Sequence, residues 1–157
     1  MPKGKKRKLT CFDVAQYFLS MVDEDEGDYM TNLKLQKLLY YAQGFHLSCY
    51  DTPLFDENIE AWAHGPVIPE LYFEYREFGP TPIPIPEDID FAKFDDETRK
   101  FLDEIYSIFG QYSAWKLREM THGEPPWQEA NNIGNNTIIS HESLKDYFIQ
   151  FVEENED

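Results

Sequence analysis

The feature that most constrains the fold is an apolar stripe within residues 31–45. Its members recur every three or four residues, which is the repeat of one face of an α-helix: Leu35, Leu38, Leu39, Ala42 and Phe45. Thr31 or Asn32 can cap this helix, because either side chain accepts a hydrogen bond from a free backbone N–H group. The segment is therefore predicted to be a helix whose apolar face packs against the rest of the chain.

The same periodicity predicts several further helices. They are a first helix capped by Thr10, a short helix over 70–78, one capped by Asp95 or Asp96, one over 114–120 and a last one over about 140–152. Residues 55–63 are ambiguous between a short strand and a helical turn, and the four prolines of residues 79–86 favour an extended polyproline II strap. We expect a mainly α, compact single-domain, bundle-like fold with short irregular or strand-like segments near residues 55–65.

Charge divides the chain into a basic start and an acidic body. The 157 residues include 30 Asp and Glu against 14 Lys and Arg, a net charge of −16. Five of the basic residues lie within residues 1–8, which leaves the remainder with a net charge of −21. We expect a disordered basic arm over 1–8, a folded domain over 9–152 and an acidic tail over 153–157. Because an acidic body repels phosphate, no specific DNA binding is expected.

Composition also indicates where the protein works. Hydrophobic residues make up 41% of the chain, too many for an acidic disordered chain. No apolar run approaches the roughly 20 residues that span a bilayer, so no membrane association is expected. The two cysteines, Cys11 and Cys49, give no disulfide framework and favour a reducing compartment. No signal-peptide cleavage site follows the basic start, so we expect a cytoplasmic protein.

Catalytic signatures are missing from the sequence. It contains no Gly-x-Ser-x-Gly, no Gly-rich phosphate loop, no His-Glu-x-x-His and no Cys-x-x-Cys. His46 and Cys49 could share one helix face, but two donors make a poor metal site. We predict no catalytic residues, no bound metal and no cofactor.

A first cluster of polar and aromatic residues follows residue 59. Glu60, Trp62 and His64 would share one face of an extended segment, as in a polar cleft with one aromatic wall. The alternative, which we favour on spacing alone, buries Trp62 in the core, makes Gly65-Pro66 a turn and leaves His64 bonded to the backbone.

A second cluster follows residue 120. His122 lies near a predicted helix end, and Trp127 follows two prolines that favour a stiff, extended backbone. Such a tryptophan either fills a core or presents an anchor to a partner. If the two clusters converge in the fold, they would form one pocket.

Lys37 lies away from the apolar stripe, as do Gln36 and Gln43 for the most part. In so acidic a body, we expect Lys37 to pair with Glu60 or another carboxylate, or to be solvated. A surface pair of this kind contributes only about 0 to 1 kcal/mol to stability.

Three ordered motifs resemble the Panacea-domain family, also called SocA-like antitoxins. The first, at residues 33–44, reads LKLQKLLYYAQG; the second, at residues 60–69, resembles EAWxxGPVxP; the third, at residues 117–127, resembles LxxxTHxxxPW. With the spacing between them they cover about residues 10–151. The residues of these motifs that we consider candidates for partner binding are Lys37, Tyr40, Glu60, Trp62, His64, Gly65, Pro66, His122 and Trp127.

The resemblance implies a mostly helical domain of bacteria and their phages, encoded beside a toxin that it neutralises by direct protein–protein contact. One member delivers its toxin to a Clp-type protease, and older descriptions of the family speak of prophage or mobile-element proteins. Some members carry a separate DNA-binding domain, and we expect none in this sequence. The shared motifs would specify the fold, and partner choice would lie in the acidic run 23–28, the strap 79–86 and the helix beyond it.

Three functions therefore remain open. The first is an antitoxin whose acidic body meets a basic toxin surface, which would give fast and salt-sensitive association. The second is an adaptor that delivers the toxin to a Clp-type protease. The third is an enzyme that uses His64 and His122 as general acid or base, which the absence of a nucleophile disfavours.

Overall fold

A computed structural model describes residues 8–154 of the chain. Within them the fold is mainly α, as predicted, and forms one compact domain. The helices are α1 (Cys11–Ser20), α2 (Asn32–Tyr50), α3 (Pro69–Tyr75), α4 (Asp96–Phe109), α5 (Ala114–His122), α6 (Pro125–Ile133) and α7 (His141–Glu154). The strands are β1 (Ile59–Trp62), β2 (Gly65–Val67) and β3 (Thr137–Ile139). Short 3-10 turns occupy Glu24–Glu26, Arg76–Phe78 and Phe91–Lys93.

Helix α2 is the centre of the domain. It packs along α7 and also contacts α1, α4 and α5. The Tyr41 ring stacks on Phe109 of α4 with ring centroids 4.1 Å apart. Gly44 lets α7 approach closely, because a Cβ at this position would collide with the Phe148 ring. The predicted apolar stripe is buried accordingly, with Leu35, Leu38 and Leu39 fully inaccessible to solvent.

The helix starts follow the predicted capping chemistry. Thr10 and Asp13 form a reciprocal capping box at the start of α1. Thr31 accepts a hydrogen bond from the Lys34 N–H at the start of α2, and Asp95 and Ser113 act in the same way at α4 and α5. The acidic run after α1 is exposed, as predicted, and turns at Gly27, which has a φ of 83°.

The segment that was ambiguous in the sequence forms a small antiparallel sheet. Strand β1 lies between β2 and β3, so that Glu60 faces Val67 on one side and Ile138 on the other. Strand β3 has only three residues, too few to give a recognisable periodicity, and the sequence did not predict it. The sheet holds the β1–β2 turn, residues 63–64, beside α5 and α6.

The prediction of an extended backbone at Pro125, Pro126 and Trp127 is wrong. The two prolines are the first residues of α6, and Trp127 follows them in its first turn. Proline is tolerated there because the first N–H groups of a helix have no acceptor within the helix.

The ends of the chain and the strap complete the fold. The basic arm predicted over 1–8 lies outside the described residues except for Lys8, whose ammonium is 2.6 Å from the Asp56 carboxylate. Helix α7 runs two residues into the predicted acidic tail, and 155–157 are not described. The strap 79–86 has no regular secondary structure and is fixed where the Ile83 N–H donates to the Met30 carbonyl. Among residues 8–154, no helix is long and apolar enough to cross a bilayer.

Candidate functional site

The glutamines of α2 are buried, contrary to the prediction that they lie largely off its packed face. The Gln36 carbonyl accepts from the Ile68 N–H at 2.8 Å, just after β2. The Gln43 carbonyl accepts from the Leu54 N–H at 2.7 Å, and its amide donates to the Phe55 carbonyl at 2.8 Å. Because the domain surrounds α2, the glutamines of this helix hydrogen-bond to the backbone of neighbouring segments instead of facing water.

Lys37 is also fully buried, and the prediction of a carboxylate pair or a solvated ammonium is wrong. Its Nζ donates to the Pro66 carbonyl at 3.2 Å, and Glu60 instead accepts from the Trp62 indole. Burial and, to a smaller degree, the charge of Arg118 lower the pKa of Lys37 to about 7.

Gly65 and Pro66 pack directly against this lysine. The φ of Gly65 is 112°, a conformation that side chains other than glycine rarely adopt. A Cβ here would lie 2.6 Å from Lys37 Cε and 2.9 Å from the hydroxyl oxygen of buried Thr121. The Gly-Pro motif therefore fits the hairpin against α2 and α5.

A buried carboxylate lies about one helical turn further along α2 from Lys37. The hydroxyls of Tyr40 and Tyr41 each donate to Glu124 at 2.9 Å, and Glu124 is 8% exposed. Burial raises the pKa of Glu124 to about 7, and burial together with the Glu124 charge raises the pKa of both tyrosines. Sequence reasoning singled out Tyr40 but assigned no role to Glu124. The sequence signal that could have singled out Glu124 is its position directly before two prolines, which can start a helix.

The two predicted clusters do meet. The Trp127 indole N–H donates to the Trp62 carbonyl at 2.9 Å, and the Trp127 ring stacks on His122 with centroids 4.2 Å apart. The Trp62 indole in turn donates to Glu60 at 2.9 Å, so these two residues share one face of β1, as in the polar-cleft alternative. The alternative that we favoured is wrong, because Trp62 is only partly buried and Gly65-Pro66 belongs to strand β2. The arrangement is partly exposed, so Trp62 and Trp127 close the edge of the core without being sealed in it.

The two histidines lie near each other at this edge. His64 is exposed in the β1–β2 turn, and its Nδ1 accepts from Arg118 Nε at 3.2 Å. This contact replaces the backbone bond predicted for it. Burial lowers the pKa of His122, and the charges of Arg118, Lys37 and His64 lower it further, while a hydrogen bond with the Ala63 backbone acts in the opposite direction. The Nε2 atom of His122 is buried and has no hydrogen-bond partner among the described residues.

Around these residues lies a surface that we call the aromatic–arginine face. Its members are Trp62, His64, Tyr72, Phe73, Arg76, Trp115 and Arg118. Phe73 and Trp115 are 58% and 60% exposed. Arg76 lies over the Phe73 ring and Arg118 over the Trp115 ring, at 5.4 and 4.7 Å from the centroids.

A cleft of about 450 Å³ runs through the aromatic–arginine face. Trp62, His64, Tyr72 and Arg76 line it, together with Asn32 and Asn136. Sequence reasoning found Trp62 and His64 but missed the members from α3 and α5. The spacing of Trp115 and Arg118, one helical turn apart and off the apolar positions of α5, was a usable signal.

The chemistry available here is that of recognition. The aromatic surfaces, paired with guanidinium groups, suit contact with a protein surface. Within the described residues, no group of three or more His, Cys, Asp or Glu side chains is arranged to hold a metal ion.

Comparison with known proteins identifies the family. The family described as "Antitoxin SocA-like, Panacea domain" matches residues 35–128. Antitoxin SocA of Caulobacter vibrioides (strain NA1000 / CB15N) is 30% identical over 135 residues, which cover 76% of this chain and 72% of that protein. No solved structure matches the chain. The chain therefore belongs to the SocA-like antitoxin family, whose shared unit is the Panacea domain.

Proposed function

We propose that this protein is a cytoplasmic antitoxin that neutralises a cognate protein toxin by binding it directly through the aromatic–arginine face. The observation that carries the proposal is the exposure of Phe73 and Trp115, each beside an arginine, around a cleft. Trp, Tyr and Arg dominate the binding energy of protein interfaces, and an isolated monomer gains nothing by exposing them.

The motif residues divide by burial into two roles. Trp62 and His64 reach the surface and would contact the toxin. Lys37, Tyr40, Gly65 and Pro66 are buried and would hold the fold that presents this face. A third set supports the face from within: Glu60, His122 and Trp127.

The charge of the body would act at longer range. Residues 24–28 are exposed and mostly acidic, and the whole chain carries a net charge of −16. A toxin with a basic surface would be attracted to such a body, with an association rate that falls as salt screens the charges. In this scheme acidity accelerates encounter, and the aromatic–arginine face determines how long the complex lasts.

The test begins with the open reading frames that flank the gene. One of them should be toxic when expressed alone and tolerated when this protein is co-expressed. The Phe73→Ala, Trp115→Ala double variant should lose this protection, because it removes both exposed aromatic anchors. Ile133→Ala is the matched control, since Ile133 is 80% exposed and lies outside the face. Protection by the double variant equal to that of the control would contradict the proposal.

Purified components separate direct binding from the alternatives. If binding neutralises, the toxin should lose activity when this protein alone is added. If delivery to a Clp-type protease neutralises, inhibition should require that protease and should disappear in cells that lack it. If His64 and His122 were catalytic, replacing both with Ala should abolish inhibition of the toxin without weakening its binding.

A further inference from the structure

Four basic side chains converge at the β1–β2 turn, and we call them the basic cluster: Lys37, His64, Arg118 and His122. Arg118 Nε lies 3.2 Å from His64 Nδ1. Lys37 lies directly under the turn, since a Cβ on Gly65 would be 3.2 Å from its Nζ. His122 is close enough to the other three for their charges to act on it.

This cluster has no acidic partner within the part of the chain that the structure describes. The ion pairs described there join Lys8 to Asp56, Lys93 to Asp13 and Lys145 to Asp51. The carboxylates near the cluster in sequence have other partners. Glu60 and Glu119 accept from the indoles of Trp62 and Trp115, and Glu124 accepts from the hydroxyls of Tyr40 and Tyr41.

The absence of a counter-charge is unexpected in a chain with a net charge of −16. Burial and the neighbouring charges lower the pKa of Lys37 and His122, which favours their neutral forms, but the guanidinium of Arg118 stays charged and has no carboxylate partner among residues 8–154. His122 Nε2 adds a second sign that a group is missing, because it is buried and has no hydrogen-bond partner among residues 8–154. Both observations are accounted for if an anion from outside the chain completes the cluster.

The geometry selects the kind of anion. Arg118 lies over the exposed Trp115 ring, which holds the guanidinium plane in place. A fixed guanidinium presents paired N–H donors that match the two oxygens of a carboxylate. The surrounding exposed aromatic residues suit a protein ligand better than a small free anion.

We propose that the basic cluster binds a carboxylate, the side chain of an Asp or Glu of the partner protein, at Arg118 and His64. Lys37 and His122 lie beneath these two residues, and a bound anion would favour their protonated forms. This inference deepens the proposed function, on which the identity of the partner rests. A toxin that is basic overall would thus place one acidic side chain beside Trp115 when it binds.

The first part of the test needs no toxin and therefore can fail independently of the proposed function. Acetate is titrated into the full-length protein at constant ionic strength, with chloride as the replaced anion. NMR follows the imidazole carbon-bound protons of His64 and His122 and the indole N–H of Trp115. Saturable shifts at these resonances are expected, and an Arg118→Gln variant should weaken them at least tenfold. Arg118→Lys keeps the positive charge but lacks the paired N–H donors of the guanidinium. It should bind acetate with an intermediate affinity.

Arg99→Gln is the matched control, because Arg99 also lies over an aromatic ring, that of Phe91, but outside the cluster. It should bind acetate as the unmodified protein does. Shifts that do not saturate, equal shifts in Arg118→Gln, or saturation by phosphate but not by acetate would each overturn the proposal. If acetate binds while Arg118→Gln still neutralises the toxin fully, the cluster is an anion site that the partner does not use, and the assignment to the partner is wrong.

Discussion

Replacing Lys37 with methionine should stabilise the protein at neutral pH. The lysine is fully buried, and its ammonium donates to one carbonyl, that of Pro66. Methionine has a similar length and leaves no charge to bury. Because a buried charge with a single neutral partner costs free energy, its removal should raise the free energy of unfolding.

The magnitude follows from the pKa of Lys37, which burial lowers from 10.5 to about 7. At pH 7 this shift costs the folded state about 4 kcal/mol, at 1.36 kcal/mol per pH unit. The variant leaves the Pro66 carbonyl without its donor, which costs about 1 to 3 kcal/mol. The net gain at pH 7 is therefore about 1 to 3 kcal/mol.

The pH dependence gives the sharper test. Between pH 7 and pH 10.5 the unfolded chain holds a proton on Lys37 that the folded chain releases, so the stability of the unmodified protein rises with pH. The methionine variant lacks this proton. Its advantage should shrink by about 2 kcal/mol between pH 7 and pH 9.

Urea unfolding followed by tryptophan fluorescence at these two pH values measures the difference directly. Lys116→Met is the control, because Lys116 is exposed and its replacement should change stability by less than about 0.5 kcal/mol at both pH values. A Lys37→Met variant that is less stable at pH 7, or whose difference from the unmodified protein is the same at pH 7 and pH 9, would refute the reasoning.

Three further predictions concern the buried residues. Gly65→Ala should destabilise the protein by about 2 to 5 kcal/mol, because it adds a strained positive φ and a collision with Lys37; an unchanged thermal midpoint would contradict this. The pKa of Glu124 is raised from 4.5 to about 7, so the folded chain keeps a proton that the unfolded chain has lost in this range. Stability should therefore fall by about 3 kcal/mol as pH rises from 4.5 to 7, and a Glu124→Gln variant should lose this dependence in urea unfolding. Gln43→Ala should cost about 2 to 5 kcal/mol in the same assay, because it leaves the Phe55 carbonyl and the Leu54 N–H buried without partners; a loss below about 1 kcal/mol would count against that role.

Local signals predicted the helices well. The cap at Thr31 and the capping box at Thr10 depend on side chains and backbone within one turn, so a sequence contains the information needed. Strand β3 could not be predicted in this way. Its three residues form a strand because β1 offers an open edge, which is a property of the assembled fold.

The candidate site was predicted only in part for a similar reason. The motif residues Trp62, His122 and Trp127 do meet, but the burial of Lys37 depends on the hairpin that folds over it. Periodicity locates the apolar face of α2 and cannot reveal that the polar face is covered too. Each arginine of the aromatic–arginine face lies three residues after the ring that it covers, so these pairs are local. Tertiary structure is needed to bring the two pairs together around Trp62 and His64.

The most direct test of direct toxin binding through this face is the dissociation constant of the complex. Calorimetric titration would compare the unmodified protein, Trp115→Ala and Ile133→Ala against the purified product of the toxic flanking gene. Loss of an exposed aromatic anchor should cost about 2 kcal/mol, a roughly 30-fold weaker complex for Trp115→Ala, with Ile133→Ala unchanged. Equal dissociation constants for all three proteins would contradict the account.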